Sequence, residues 1–396
     1  MNDAVVVGCG IIGASVAWRL SQVGLSVTCL DPTPGDGATF AAAGMLAPVT
    51  EAEFGDAELT GLNLESAREW PGFAAELAEA AGTELGFGRT GTLTVAYDAG
   101  DRQELRRLME LRAGLGLATE EVSVDAARAM EPLLGPRIAG AAWTPDEHQV
   151  DPRRVHAALL AVLAARGVEV VRRRVVALAE QSPGGPVTGA VDDQGTTHSA
   201  GVLVLAAGWA SRELTPSSGG YGAATTTTPT RPVKGQVLRL DAGPESAFSL
   251  GRVVRGFVQS RQVYLVPRAD GEVVVGATSE EQPDDRRVTA GGAFGILRDA
   301  RALVPGIDEL PLVELTARAR PGSPDNLPMI GGSGRPGLVL ATGHYRNGIL
   351  LAPLTAAAIT AYVRDGAVPA WAAAADPRRF VRAVGPRRLA PTGGRP

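Results

Sequence analysis

The sequence predicts a two-domain α/β fold, in which a Rossmann-like domain is assembled from separated stretches of chain and a second domain is built around an antiparallel sheet. Three observations carry this. The chain opens with an apolar run, a glycine turn, a helical stretch and a second apolar run ending in an acid, the order of a strand, helix, strand unit. It then leaves for the Gly/Ala-rich stretch "DGATFAAAGMLAP" and a long helical segment, where a continuously wound sheet would supply another strand. Strand-to-turn character of the opening kind returns only late, in "VLVLAAGWAS" at 202–211 and "GHYRNGILLAP" at 343–353.

In chain order, residues 4–8 read as a strand, 11–23 as a helix and 26–31 ("SVTCLD") as a strand, followed by a helix at about 58–81. Residues 89–97 ("RTGTLTVAY") alternate as a strand does, 101–115 and 123–134 suit helices, and 138–143 is another strand. In "DEHQVDPRRVHAALLAVLAARG", Asp151 is placed to cap a helix that Pro152 begins. The aspartate accepts from first-turn amides, and proline has no amide to leave unpaired. Strands follow at 168–172, 174–180, 187–191 and 201–206, and "TPSSGGYGAATTTTPT" (215–230) lacks apolar periodicity and reads as a flexible loop or linker. Strands resume at 231–240, 253–258, 262–267 and 272–277, then a helix at 290–303, strands at 312–320 and 338–341, and a helix at 348–365.

A chain of 396 residues, 45% hydrophobic, has the material for a large core. Its formal charge of −5 offers no basic field for a phosphate backbone, so nucleic acid is excluded as an expected partner. No run approaches the roughly 20 apolar residues of a membrane span, and two cysteines make no disulfide framework. The apolar opening is broken by spaced glycines and lacks a basic leader, so it reads as folded structure and the protein as cytoplasmic. His148, His156 and His198 show no metal-ligand spacing, and no metal site is expected. Lys234 is the only lysine, so a single arginine says little about function here.

"GCGIIG" places Gly8, Gly10 and Gly13 between the first strand and helix, with Asp31 eighteen residues after Gly13. Glycines permit a tight turn and close approach of a pyrophosphate to the helix N-terminus, and the acid accepts from ribose hydroxyls. Dinucleotide binding follows from that context more than from the glycines alone. Cys9 and Cys29 fall within these elements as small buried residues. The separated pieces of nucleotide sheet favour a flavin over a nicotinamide, because the two ends of a flavin dinucleotide lie far apart and need distant sites.

"GCGIIG", "FAAAGMLAP", "RPVKGQV", "VYLVPRADGEVVVGAT", "ARARPGSPDNLPMIG" and "GHYRNGILLAP" occur in this order from about residue 3 to 366. Together they resemble the FAD-dependent amine and D-amino-acid oxidase family, nearest to its glycine oxidases of thiamine biosynthesis. The resemblance implies FAD-binding segments at 1–86, 145–215 and 311–370, substrate-domain segments at 87–144 and 216–310, and a flexible tail at 371–396. It implies that Gly8, Gly10, Ile11, Ile12 and Gly13 hold the pyrophosphate, although the family more often has glutamate where Asp31 would hold the ribose. Thr39, Ala43, Gly44 and Met45 would wrap the flavin, and Val176 would touch adenine through its backbone. His344, Tyr345, Arg346, Asn347, Gly348, Ile349 and Leu350 would form the turn over the flavin ring, with backbone amides rather than reactive side chains carrying the electrostatics.

Tyr264 and Arg320 match the family's substrate-carboxylate clamp. Arginine binds a carboxylate through two parallel hydrogen bonds and so sets its orientation, which hydride transfer to a flavin requires. The implied reaction is oxidative deamination of glycine, or of another small amine or D-amino acid, with oxygen reduced to hydrogen peroxide. The glycine imine would supply thiazole synthesis, and a homo-oligomer is expected. Three alternatives stay open: a sarcosine or D-amino-acid oxidase, a dehydrogenase using another acceptor, and a non-catalytic FAD-binding subunit of a complex.

Overall fold

The computed structural model describes residues 2–215, 228–243 and 246–380. Of the linker expected at 215–230, residues 216–227 lie outside the described residues, as does the tail beyond 380. The opening unit forms strand Asn2–Val7, helix Ile11–Gln22 and strand Val27–Leu30. The strands run in the order Met329–Gly332, Leu338–Thr342, Thr197–Leu205, Asn2–Val7, Val27–Leu30, Glu169–Val171. All neighbours are parallel except the first pair.

Asn2–Val7 is therefore flanked by Val27–Leu30 on one side and by the much later Thr197–Leu205 on the other. Where strand order reverses in this way, the carboxyl ends open a crevice. One face of the sheet is covered by helices Ile11–Gln22, Pro152–Ala165 and Ala352–Asp365. On the other face Val5 and Val7 pack against Val175, Val187 and Ala190 of an antiparallel ribbon. Burial of both faces is what turns 4–7 into an unbroken apolar run rather than an alternating one.

The second sheet has the order Leu312–Gly322, Arg231–Asp241, Glu272–Gly276, Arg261–Pro267, Val253–Val258, Thr92–Ala96, Gly140–Thr144, Glu120–Val122. It is antiparallel except where Val253–Val258 meets Thr92–Ala96. Leu312–Gly322 falls in the segment expected for the nucleotide domain, yet it pairs along nearly its whole length with Arg231–Asp241. Arg320 thus stands on the second sheet. Helix Ala290–Leu303 buries Ile296, Ala300 and Leu303 against Val254, Leu265 and Val275 on one face. The opposite face carries Arg255, Tyr264, Gly276 and Val237 in one cross-strand row, and it meets Ala43 and Met45 of the first domain.

Three sequence expectations are corrected. The last helix begins at Ala352 rather than 348, after a turn in which the Leu351 amide donates to Asn347 O at 2.8 Å. The segment 123–134 is helical only over Val124–Met130. The expected flexible tail starts too early: Ala370–Ala375 and Pro377–Phe380 form short 3-10 turns. There Ala372 and Ala375 are buried in the core, and Arg379 holds the Asp325 carboxylate at 2.7 and 3.1 Å. An alanine-rich segment without a periodic stripe carries no signal of what it packs against. Strand Met329–Gly332 also went unread, because two of its four residues are glycine. Among the described residues, no helix is long and apolar enough to cross a membrane.

Helix Ala57–Ala81 ties the site to this core. Trp70, fully buried, donates from its indole to Leu350 O at 2.8 Å, and Ser66 donates to the same carbonyl at 2.6 Å. Trp70 also meets Phe73 edge to face at 5.4 Å. Trp70→Ala is expected to lower stability by about 3–5 kcal/mol, the cost of emptying a buried aromatic site. Urea denaturation monitored by far-ultraviolet circular dichroism checks this, and a loss under 1 kcal/mol would contradict the anchoring role.

Candidate active site

Between the two sheets lies a cavity of about 1350 Å³. It begins at the glycine turn, and the conformation of that turn is set by contact. Gly8 has φ +94°, and a side chain there would place Cβ 2.4 Å from Ala206 O. A Cβ on Gly13 would fall 1.9 Å from Gly8 O. Gly13 therefore does not line the cavity; it lets the helix pack close beneath the turn. The helix has no acid in its first turn to repel an anion, and its first amides lack partners within the helix. The Ile11 amide is held by Thr39 Oγ1 at 3.0 Å.

Asp31 accepts from the Cys9 amide at 2.7 Å and the Thr33 amide at 2.9 Å. A carboxylate has about four acceptor positions, so two such bonds leave room for ribose hydroxyls. Gly44 takes φ +79° where a Cβ would meet Val150 O at 2.0 Å. Arg268 fastens that loop, donating to Ala43 O and to Gln149 Oε1 at 2.7 Å. The turn chemistry, the free acceptor capacity of Asp31 and an elongated cavity joining the helix terminus to the second sheet all fit a flavin dinucleotide.

Of the residues singled out in the sequence, Gly8, Gly10, Ile11, Ile12 and Asp31 line the nucleotide end of the cavity. Thr39, Ala43, Gly44 and Met45 line its middle, and Tyr264, Arg320 and His344 through Leu350 its far end. Val176 is the exception besides Gly13. Its side chain is 54% exposed, and the lining beside it is supplied by Arg174 and Val175.

At the far end, Arg320 donates to Thr278 O at 3.1 Å. Two glycines clear its surroundings: a Cβ at Gly235 would lie 2.4 Å from Arg320 Nη1, and one at Gly276 2.3 Å from the Tyr264 hydroxyl. Burial pushes the Tyr264 phenol above its usual range, so the group stays protonated and donates. Burial pulls Arg320 down somewhat, opposed by neighbouring Tyr264. A planar cation beside a hydroxyl donor is a receptor for a carboxylate.

Residues 343–347 turn over this pair. Tyr345 takes φ +47°, a conformation that costs a non-glycine residue about 1–3 kcal/mol, and its amide donates to Pro321 O at 2.9 Å. His344 is buried and bonded through Nε2 to Thr355 Oγ1 at 2.9 Å. Arg346 was expected to shape the turn only; its guanidinium instead lies 3.1 Å from Glu51 and 3.4 Å from Glu53. Glu51 also pairs with Arg255 at 2.5 Å. Burial would raise Glu51, but the Arg255 and Arg346 charges outweigh it and hold the carboxyl at about 2. Glu51 and Arg255 were missed in the sequence, although an arginine at an inward position of the apolar strand "VVRGFV" was a usable signal. Lys234 does not line the cavity; its amine meets Asp285 at 3.2 Å.

Burial holds His344 at about 3, well below the usual 6.5. In the unfolded chain it titrates near 6.5, so between these values the unfolded state binds more protons and stability falls as pH falls. At pH 5 the loss from this residue is about 2 kcal/mol. Comparing urea midpoints at pH 7 and pH 5, the drop is expected to be smaller in His344→Asn; an equal drop would show that His344 is not the titrating group.

A family model described as FAD dependent oxidoreductase matches residues 3–362. The bifunctional protein ThiO/ThiG of Synechocystis sp. is 33% identical over 390 residues, which cover 97% of this chain and 55% of that protein. Glycine oxidase of Geobacillus kaustophilus is 33% identical over 359 residues, 89% of this chain and 90% of its own. The crystal structure of glycine oxidase from Geobacillus kaustophilus matches with a TM-score of 0.84 at 31% identity, covering 96% of this chain and 99% of that one. The chain spans about half the length of the ThiO/ThiG proteins it matches.

Proposed function

The chain belongs to the FAD dependent oxidoreductase family, and from that premise we propose that it is an amine oxidase acting on glycine or a similarly small amino acid. The observation that carries this is the half-buried Tyr264 and Arg320 pair at the end of the cavity remote from the glycine turn. Gly8, Gly10, Ile11, Ile12 and Asp31 would hold the pyrophosphate and ribose, with Gly13 supporting from below; Thr39 and Ala43 to Met45 would hold the middle of the cofactor. Arg174 and Val175, which line the cavity beside Val176, would share the adenine contact expected of the Val176 backbone, and residues 344–350 would border the ring. The chemistry FAD supplies when bound is acceptance of a hydride and onward transfer of the electron pair to oxygen.

Arg320 and Tyr264 bind and orient the substrate carboxylate. The residues facing that clamp are cations or cations neutralised by Glu51, so no carboxylate beside it serves as a base: Glu51 is held ionised by Arg255 and Arg346. The amine therefore enters neutral, and the α-hydrogen leaves with its electron pair. The likeness to ThiO/ThiG and glycine oxidase supports glycine as substrate and an imine product handed to thiazole synthesis; a cytoplasmic homo-oligomer belongs to the same proposal.

Purified yellow protein is expected to release peroxide with glycine and, at other rates, with sarcosine, D-alanine or D-proline. Bleaching of the flavin by glycine without peroxide would point to a dehydrogenase using another acceptor. Flavin that no such amine reduces would overturn the proposal.

A further inference from the structure

The cavity continues past Tyr264. In the second sheet Tyr264 pairs with Arg255, and Arg255 with Thr94, so the three side chains stand in a row on the face turned to the cavity. Two strand spacings separate Tyr264 from Thr94, about 10 Å between backbones. Helix Ala99–Gly114 packs Leu105 and Leu108 on the same face, against Ala96 and Phe257. Its last turn brings Arg112 over the end of the row, and Thr94, Leu108, Arg112 and Arg255 all line the cavity.

This corner holds unused donors. Arg112 is 2% exposed, and its Nη2 donates to Thr50 O at 2.9 Å. Among the described residues its Nε and Nη1 have no hydrogen-bond partner, nor has Thr94 Oγ1. Arg112 forms no ion pair there, while Arg255 is paired with Glu51 and donates to Thr50 Oγ1 at 3.1 Å. Glu147, also buried nearby, spends its oxygens on Thr50 and the Val49 amide. Glu104, two turns back on the same helix, leans towards Arg107 at 3.6 Å. Leaving donors of a buried cation unpaired is costly; Glu147 and Glu51 offset the Arg112 charge but bond neither of its free donors.

We propose that Arg112, Thr94 and Arg255 form a second anion subsite, which takes the carboxylate of a short carboxyalkyl arm on the substrate nitrogen. The α-carboxylate sits on Arg320 and Tyr264, the nitrogen lies between, and the arm runs along the row to Arg112. The substrate class is then N-carboxyalkyl glycines, with glycine itself occupying only the first subsite. This rests on the amine-oxidase reading for turnover, but not for binding.

The test uses the holoprotein in two ways. Calorimetric titration compares glutarate with butyrate, which needs no turnover. Steady-state peroxide assays compare iminodiacetate with sarcosine and N-(carboxymethyl)-β-alanine with N-ethylglycine. Glutarate is expected to bind at least tenfold tighter than butyrate, and at least one carboxylated amine to show a KM tenfold below its uncharged counterpart. Arg112→Met is expected to remove these preferences about tenfold or more, the size of a lost charge-assisted hydrogen bond, with kcat changing less than KM. Thr94→Val, nearly isosteric, should weaken them by a smaller factor and guards against a folding defect in the arginine variant. Equal binding of glutarate and butyrate by the unsubstituted protein overturns the subsite whatever the enzyme oxidises. So does a preference that survives both substitutions. Tight glutarate binding with no amine turned over would sustain the subsite and reject the oxidase reading.

Discussion

Arg320→Leu lowers kcat/KM for glycine about a thousandfold while the protein still binds FAD. The side chain is half-buried at the end of the cavity and its one hydrogen-bond partner among the described residues is Thr278 O, so its remaining donors are available to a ligand. Truncating one member of a buried, hydrogen-bonded charge pair costs about 2–5 kcal/mol, and 1.4 kcal/mol is a factor of ten. Arg320→Lys keeps the charge but loses the fork, and an intermediate loss is expected, with the substrate held less well oriented. Peroxide release at low glycine and the visible flavin spectrum are the two measurements. Near-normal turnover by Arg320→Leu at low glycine would remove the proposed clamp.

The second large effect is on the cofactor. Gly13→Ala is expected to yield protein that loses FAD on gel filtration, with affinity lowered at least a hundredfold. The substitution touches no ligand, since Gly13 does not line the cavity; its Cβ would sit 1.9 Å from Gly8 O, and the helix terminus or the turn must move. Gly8→Ala adds a left-handed backbone to a 2.4 Å clash with Ala206 O. Gly10→Ala is the milder case, because its Cβ would meet Thr39 Oγ1 at 3.3 Å and a small shift relieves it. Ranking FAD retention across the three variants by visible absorbance tests the steric account. A Gly13→Ala protein that keeps its flavin as well as Gly10→Ala would reject it.

The opening unit was legible because its signals are local. Gly8, Gly13 and Asp31 act within thirty residues of one another, and apolar runs at both strands report burial on both faces. Asp151 likewise caps its helix, accepting from the Arg153 amide at 2.8 Å. Errors arose where the deciding contact is remote or the local pattern is symmetric. The side chains of Val175 and Val176 are indistinguishable by composition, and only the register of the strand sends one inward and the other to solvent, which leaves the backbone contact expected of Val176 as it was. The turn after Gly343 looked helical from Gly348, yet the chain is held there by Pro321 O, Thr355 and the Trp70 indole. Ala372 and Ala375 gave no amphipathic stripe, and their burial is decided by the helices that they meet.

By itself the sequence determined the glycine turn, the acid that follows it and most strands and helices, while the proposed clamp of Tyr264 and Arg320 came from its resemblance to a family. Each of these depends on backbone sterics, side-chain period or a motif read over short distances. Only the tertiary structure decided the company those side chains keep. Arg255 and Arg346 converge on Glu51 across some 200 and 300 residues of chain, and Arg112 reaches the same wall from a helix on another segment. In a protein where almost every cation is arginine, residue type carries little information. Whether a guanidinium is paired, screened by water or left buried with free donors is settled by packing between elements, and the charge of the site follows from that.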